Sequence, residues 1–184
     1  MPKQYGFLLD INRCVGCKAC ELACKSENQT PVRVRWRSVS PNSPESYLSL
    51  SCNHCESPEC FRVCPNRAYS KRRDGIVVID SDRCDGCRTC VNACPFKAPQ
   101  YDPETHKVSK CNLCVSRLEK GLSPACVNAC HTGALKIADL SEGVRNGTVA
   151  EVPGFAEIRL TRPSIRFYPL KEKKRYWNKG KASE

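Results

Sequence analysis

Apolar residues fall along this chain in short runs, each set beside a cysteine-bearing stretch. Tyr5 to Asp10, Tyr47 to Leu50, Gly75 to Asp80 and Ala134 to Ala138 hold β-branched and aromatic residues bounded by Asp-Gly, Asn and Pro, a pattern that predicts strands and tight turns. Ala19 to Lys25, Pro58 to Val63, Thr89 to Ala93 and Ala125 to Ala129 have the composition of one or two helical turns. Asn112 to Lys120, stopped by Gly121 at a C′ position, predicts the longest helix. Residues 25–45 and 95–110 read as polar, proline-containing connections. From Val152 onward Pro153, Pro163 and Pro169 occur with no cysteine, which predicts an extended segment wrapping the surface or a partner. Apolar runs such as Ile76 to Ile79 fall far short of the roughly 20 residues a bilayer crossing needs. The first 13 residues have no basic start, apolar stretch or small-residue cleavage site, so no secretory signal is expected.

Composition explains why the apolar runs are so short. Cysteine supplies 16 of the 184 residues, and the 40% apolar fraction counts them. Without them the fraction is about 31%, lean for one or two self-sufficient cores. Covalent or metal cross-links must fill the deficit.

Every cysteine belongs to one of four groups. The first is Cys14-x2-Cys17-x2-Cys20-x3-Cys24 and the second Cys52-x2-Cys55-x4-Cys60-x3-Cys64-Pro65. The third is Cys84-x2-Cys87-x2-Cys90-x3-Cys94-Pro95 and the fourth Cys111-x2-Cys114-x11-Cys126-x3-Cys130. Each closes with C-x3-C, the mark of a short internal repeat and of duplication of a two-site unit. A C-x2-C-x2-C loop brings three thiolates to three corners of one [4Fe-4S] cube, while its backbone N–H groups point towards the sulfides. Small residues at Gly16, Ala19 and Gly86 suit that wrap. The fourth cysteine, after three intervening residues, serves the other cube in two-cluster ferredoxins.

Two bland readings compete. Zinc knuckles use C-x2-C pairs but leave Cys20 and Cys90 without a role. A disulfide scaffold fits neither the x2-x2 spacing nor the missing signal. His54, between Cys52 and Cys55, is a candidate hydrogen-bond donor to a cluster, and His106 and His131 read as turn or surface residues. There is no Gly-rich nucleotide loop and no nucleophile with a matched base, so the sequence predicts electron carriage and no substrate chemistry.

The formal charge is +11, and Lys171 to Glu184 alone carries six basic and two acidic side chains. Nucleic acid or anionic lipid would be the naive partner. Sixteen thiolates on four cubane cores, however, carry a net charge of about −8, which takes the holoprotein to about +3. Arg33, Arg35, Arg37 and Lys71-Arg72-Arg73 therefore read as solvated or cluster-neutralising charge, and no nucleic-acid partner is expected. Docking of the basic tail on a partner or on lipid head groups is the sharper alternative.

At this point the chain resembles the iron-sulfur electron-transfer (beta) subunits of the DMSO reductase family of molybdopterin oxidoreductases. The resemblance rests on Gln4-Tyr5-Gly6-Phe7 to Cys24, Ser51-Cys52-Asn53-His54-Cys55, Asp74-Gly75-Ile76-Val77-Val78 and Ala98-Pro99-Gln100-Tyr101, and it covers roughly residues 4 to 140. It implies an α+β fold of two ferredoxin-like bi-cluster units with short strands and helices, plus an extended C-terminal tail. Residues 1–30 with 105–145 would form the first unit, 46–104 the second and 146–184 the tail. The implied cofactors are four [4Fe-4S] clusters whose ligands cross between groups. One cluster takes Cys14, Cys17, Cys20 and Cys130, and its neighbour takes Cys24, Cys111, Cys114 and Cys126. In the second unit one takes Cys52, Cys55, Cys60 and Cys94, and the other takes Cys64, Cys84, Cys87 and Cys90. Some members carry Trp at the position of Cys87 and a [3Fe-4S] cluster there; Cys87 is present, so four cubes are expected. The family places the Cys14 cluster towards a molybdopterin-containing catalytic subunit and the Cys84 cluster towards a polytopic membrane anchor that oxidises or reduces quinone. It implies a role in anaerobic respiration, in a DMSO, polysulfide or thiosulfate reductase-like complex peripheral to the membrane and extracytoplasmic by co-export with the catalytic subunit, the cytoplasmic face being the other option. The rival reading is a soluble polyferredoxin-type subunit of a hydrogenase or formate dehydrogenase complex.

Overall fold

The computed structural model describes residues 3–44, 46–141 and 147–171. The basic run that follows Lys171, and with it the rest of the expected tail, lies outside the described residues. In chain order the elements are β1 (Tyr5–Asp10), α1 (Ala19–Asn28), β2 (Arg37–Ser43), β3 (Ser46–Ser51), α2 (Glu59–Arg62), β4 (Tyr69–Lys71) and β5 (Val77–Ile79). They continue with α3 (Thr89–Ala93), β6 (Gln100–Asp102), β7 (Lys107–Ser109), α4 (Val115–Leu118), α5 (Ala125–Asn128), β8 (Leu135–Asp139) and β9 (Ile165–Tyr168).

β1 is the centre of a three-stranded sheet in the order β8-β1-β9. It runs antiparallel to β8, with Tyr5 opposite Asp139, and parallel to β9, with Phe7 opposite Ile165. Gly6 to Leu9 are all buried, as in a strand covered on both faces, so no period-2 pattern shows in its sequence. α1 packs on α5 and α2 on α3, so groups one and four share one layer while groups two and three share another. Three hairpins, β2-β3, β4-β5 and β6-β7, flank these layers.

The four strands read from apolar runs each coincide with a strand here. Three expectations are corrected. The stretches 25–45 and 95–110 are not plain connections, because β2 and the whole β6-β7 hairpin lie in them. Their residues are polar because each hairpin buries little beyond one face, with Val39 and Val108 as the inward side chains. The longest helix is α1, and α4 spans only Val115–Leu118. Leu113 and Cys114 take left-handed conformations at φ 57° and 50°, which bars a helix from starting earlier. Gly121, at φ 72°, does end the turn, with Leu122 N–H bonded to Arg117 O at 2.9 Å. The third correction concerns the proline-rich C-terminal part. Its residues 165–168 form a strand of the main sheet, with Ile165 and Phe167 fully buried, and Val149 bridges to Phe167.

Candidate functional site

Groups one and three are the same device at an offset of 70 residues, Cys14 to Cys84 and Cys20 to Cys90. Each leaves a strand through an aspartate turn: Asp10 Oδ1 accepts from Asn12 N–H at 3.0 Å, and Asp80 Oδ1 from Asp82 N–H at 2.9 Å. Gly16 and Gly86 then bend the loops at φ 71° and 75°. A Cβ at Gly16 would stand 2.6 Å from the Tyr47 ring, and one at Gly86 2.1 Å from the His106 carbonyl oxygen. Both positions therefore demand glycine on two counts, conformation and space. Lys18 and Arg88, left-handed as well, lead into α1 and α3, which carry Cys20 and Cys90 into the interior.

The last cysteines of groups two, three and four begin a second shared device. Arg67, Lys97 and Gly133, three residues on, are left-handed and return their N–H to the carbonyls of Cys64, Cys94 and Cys130 at 3.2, 3.0 and 2.9 Å. The turn presents following amides to sulfur: Ala68 N–H lies 3.4 Å from Cys64 Sγ, and Leu135 N–H 3.4 Å from Cys130 Sγ.

All sixteen cysteines are free thiols; two sets of four each share a cavity, and electrostatic neighbours place the others. One cavity, of about 20 Å³, is lined by Cys14, Cys17, Cys20 and Cys130. Another, of about 20 Å³, is lined by Cys52, Cys55, Cys60 and Cys94. Cys24 lies within electrostatic reach of Cys126 and Cys114, and Cys111 within reach of Cys126 and Cys24. Cys90 has Cys84, Cys87 and Cys64 around it. The sets form a series. Cys20 neighbours Cys126, linking the first to the second, and Cys111 neighbours Cys52, linking the second to the third. Cys60 shares an apolar cluster with Cys84 and Cys90, linking the third to the fourth.

The series is insulated in the middle and open at its ends. All eight cysteines of the second and third sets are buried, whereas Cys17 and Cys87, in the first and fourth, are exposed. Beside Cys17 runs a groove in which Leu22, Val32 and Trp36 stand among the charged Lys18, Glu21, Lys25, Arg35 and Arg37, with Val15, Leu22 and Val32 exposed. Around Cys87 the exposed residues are charged, Asp82, Arg83, Asp85 and Arg88, with no exposed large apolar side chain among residues 81–90.

Burial pushes the thiols of Cys24 and Cys55 up to about 12, and those of Cys60 and Cys111 in the same direction. Left alone, these groups stay protonated; a cationic core is what would turn them into thiolates. At Cys130 burial acts in the same sense, but the hydrogen bonds from Leu135 and Thr132 outweigh it and hold the thiol below its ordinary value. The cavity of the third set, that of Cys52, also holds polar groups in need of a partner. Both side-chain polar atoms of Asn53 and the hydroxyl of Thr161 are buried without one among the described residues, and both residues line the cavity. Sulfur-rich donor sets, orphaned donors and raised thiols together fit an iron-sulfur core.

Two buried cations serve these sets. Arg37, 2% exposed, opens β2 and donates to Ser49 O at 3.1 Å, Ser49 Oγ at 3.0 Å and Ser51 Oγ at 2.9 Å. Its guanidinium lies 4.4 Å from the Phe7 ring centroid. Burial would lower its pKa, but Cys126, Cys111, Cys20 and Cys24 outweigh that and raise it. Of the alternating arginines, Arg37 is thus the neutralising one, while Arg33 and Arg35 are solvated. Lys110, 1% exposed, lines the cavity of the third set and donates to the carbonyls of Val77 and Cys111. Sequence reasoning passed over Lys110, Asn53 and Thr161; a lysine directly before Cys111 was the one available signal for the first.

His54 is fully buried, and its Nδ1 accepts the Val77 N–H at 3.1 Å, which leaves the ring proton on Nε2. Burial and Lys110 keep its pKa well below the usual value, so it is neutral. His106 and His131 are exposed, His106 with Nδ1 3.0 Å from the Tyr101 hydroxyl. Among the described residues no helix is long and apolar enough to cross a membrane.

Residues 44–140 match the 4Fe-4S dicluster domain family, and residues 11–28 the 4Fe-4S binding domain family. The chain is 40% identical to the B subunit of the anaerobic dimethyl sulfoxide reductase of Escherichia coli, over 92% of this chain and 90% of that one. It is 42% identical to the B subunit of the polysulfide reductase of Wolinella succinogenes, over 77% and 80%. With the thiosulfate reductase electron transfer subunit PhsB of Salmonella typhi it shares 37% identity over 94% and 95%.

Proposed function

Since this chain belongs to the 4Fe-4S dicluster family of reductase electron-transfer subunits, we propose that it relays single electrons along four [4Fe-4S] clusters between a quinol-linked membrane anchor and a molybdopterin catalytic subunit. Each cluster, when bound, supplies a one-electron couple. The ligands are Cys14, Cys17, Cys20 and Cys130 for the first, and Cys24, Cys111, Cys114 and Cys126 for the second. Cys52, Cys55, Cys60 and Cys94 hold the third, and Cys64, Cys84, Cys87 and Cys90 the fourth.

The observation that carries this reading is the series of thiol sets, buried in the middle and exposed at Cys17 and Cys87. A conduit needs its two ends near the surface and its interior shielded from water and oxidants. The apolar rim of Val15, Leu22 and Val32 beside Cys17 suits a lasting interface with the catalytic subunit. The charged surroundings of Cys87 suit the head-group side of an anchor. Arg37 and Lys110 supply fixed positive charge to the buried sets, and the turns at Gly16 and Gly86 hold the terminal loops in shape. The complex is peripheral to the membrane and exported with its catalytic partner.

Iron and acid-labile sulfide analysis of anaerobically prepared protein, with EPR of the reduced form, tests the proposal. About sixteen of each per chain and four interacting paramagnets are expected. About eight or fewer irons, or a colourless folded protein carrying zinc, would overturn it.

A further inference from the structure

The C-terminal segment lies beyond the residues 44–140 that match the dicluster family, yet it reaches a cysteine set. From β9 backwards it runs beside the loop that carries Cys52 and Cys55. Ser164 N–H donates to Asn53 O at 2.8 Å, Glu56 N–H to Arg162 O at 2.9 Å, and Ser57 N–H to Thr161 O at 3.1 Å. The Ser164 hydroxyl donates to His54 O at 3.0 Å, and Gln4 Nε2 donates to that hydroxyl at 2.8 Å. An ion pair of 3.6 Å joins Arg162 to Glu56. The segment is thus pinned at one end as a strand of the main sheet, through Phe7 N–H to Ser164 O at 3.0 Å, and at the other along the third ligand loop.

That path delivers one side chain to the cavity of Cys52, Cys55, Cys60 and Cys94: Thr161, 4% exposed. Its hydroxyl has no partner in hydrogen-bond geometry among the described residues, and the acceptor it faces is the Cys55 sulfur. A buried hydroxyl left unpaired is unfavourable, so this one requires an acceptor inside the cavity. We infer that Thr161 is a positioning residue of the third cluster, donating its hydrogen bond to the Cys55 thiolate or to an adjacent cluster sulfide and thereby favouring the reduced state. The inference rests on the ligand assignment proposed above. Its physical ground is that reduction adds negative charge to cluster and ligand sulfur, so a donor aimed at that sulfur stabilises the reduced form more than the oxidised one.

The test is an EPR-monitored redox titration of the intact complex carrying Thr161→Val, which keeps the shape and removes the hydroxyl, alongside Thr161→Ser, which keeps the hydroxyl. One midpoint of the four, the one whose signal disappears in Cys55→Ser, falls in Thr161→Val by about tenfold in its reduction equilibrium, about 59 mV for one electron. It returns to the native value in Thr161→Ser, and the other midpoints do not move in either. Full iron content with four unmoved midpoints in Thr161→Val overturns the inference while leaving the conduit intact, as does an equal fall in both variants. Where valine strips iron from the protein, Thr161→Ala is judged by the same criterion; iron loss in both makes Thr161 a packing residue and overturns the inference. A low iron count in the unsubstituted protein would instead sink the cluster assignment itself.

Discussion

Arg37→Met would remove a unit positive charge from between the first and second cysteine sets without a large change of volume. The native guanidinium satisfies three oxygens, Ser49 O, Ser49 Oγ and Ser51 Oγ, and rests on Phe7. Truncating a buried charge partner costs about 3–5 kcal/mol, so the variant should be less stable but still assemble around its clusters. The electrical effect is separate. A unit charge about 10 Å away through an effective dielectric of about 20 is worth about 1.7 kcal/mol, or about 70 mV on a one-electron couple. Two midpoints, those of the Cys14 and Cys24 sets, should fall by that order, because Arg37 lies within electrostatic reach of Cys20, Cys24, Cys111 and Cys126. The sets holding Cys55 and Cys87 should change far less. Arg37→Lys, which keeps the charge and loses the forked hydrogen bonds, should recover most of the potential and little of the stability. EPR-monitored redox titration reads the first effect and thermal unfolding of the anaerobic protein the second. Four midpoints that stay put, or that fall together by the same amount, would refute the placement of Arg37 as a local countercharge.

Gly86→Ala should cost the fourth cluster, with iron content falling by about four per chain, because the new Cβ would meet the His106 carbonyl oxygen at 2.1 Å and φ 75° disfavours any side chain; unchanged iron would contradict it. Lys110→Met leaves the carbonyls of Val77 and Cys111 without their buried donor, at about 1–3 kcal/mol each, and should lower the third midpoint while sparing the first; a shift confined to the first would contradict it. Asp139 accepts from Gln4 N–H, Ser141 N–H and the Ser141 hydroxyl, which hold its carboxyl below the ordinary range. A depressed carboxylate contributes stability that is present above its unfolded pKa of about 3.9 and is lost as pH falls through the folded value. Asp139→Asn should therefore destabilise the protein at neutral pH and have less effect in strong acid; an equal loss at both pH values, in unfolding measurements, would contradict this.

What the sequence made legible follows from how local the determinants are. Cysteine spacing is a local property, and so the loops at Gly16 and Gly86 and the helices behind them could be read directly. The strands beside the cysteine groups were legible too, since Phe7-Leu8-Leu9 and Ile76-Val77-Val78-Ile79 have little else to do than pair. The hairpin strands β2, β6 and β7 were not, because Ser, Asn, Gln, Lys and Asp dominate them and they are fixed by their partners rather than by propensity. β9 shows the same limit over a longer range. Its parallel pairing with β1 joins residues more than 150 positions apart, Phe7 with Ile165, and no local pattern could announce it. Arg37 and Lys110 look like any other cation in a chain with 30 of them. Only the position each occupies after folding separates them from the solvated remainder.

That separation bears on how the chain solves its electrostatic problem. With four reduced or oxidised clusters the ligand shells carry excess negative charge, and a formal surplus of +11 looks like its answer. Yet Arg37 and Lys110 are the two buried cations among the described residues, and the other described Lys and Arg side chains lie nearer the surface, where water screens them. Both buried cations stand at internal junctions of the series, Arg37 between the first and second sets and Lys110 between the second and third. Neither is shown beside Cys87, where solvent or a partner surface can stabilise charge, while Arg37 also lines the groove beside Cys17. In a low-dielectric interior an added electron is unfavourable without fixed positive charge nearby. On the proposed ligand sets, the middle two clusters would then be the hardest to reduce, and a single electron would meet its barrier in the centre of the chain. Placing one cation beside each of those two clusters raises their potentials towards those of the ends. The buried pair therefore levels the path, and the surface surplus serves solubility and docking.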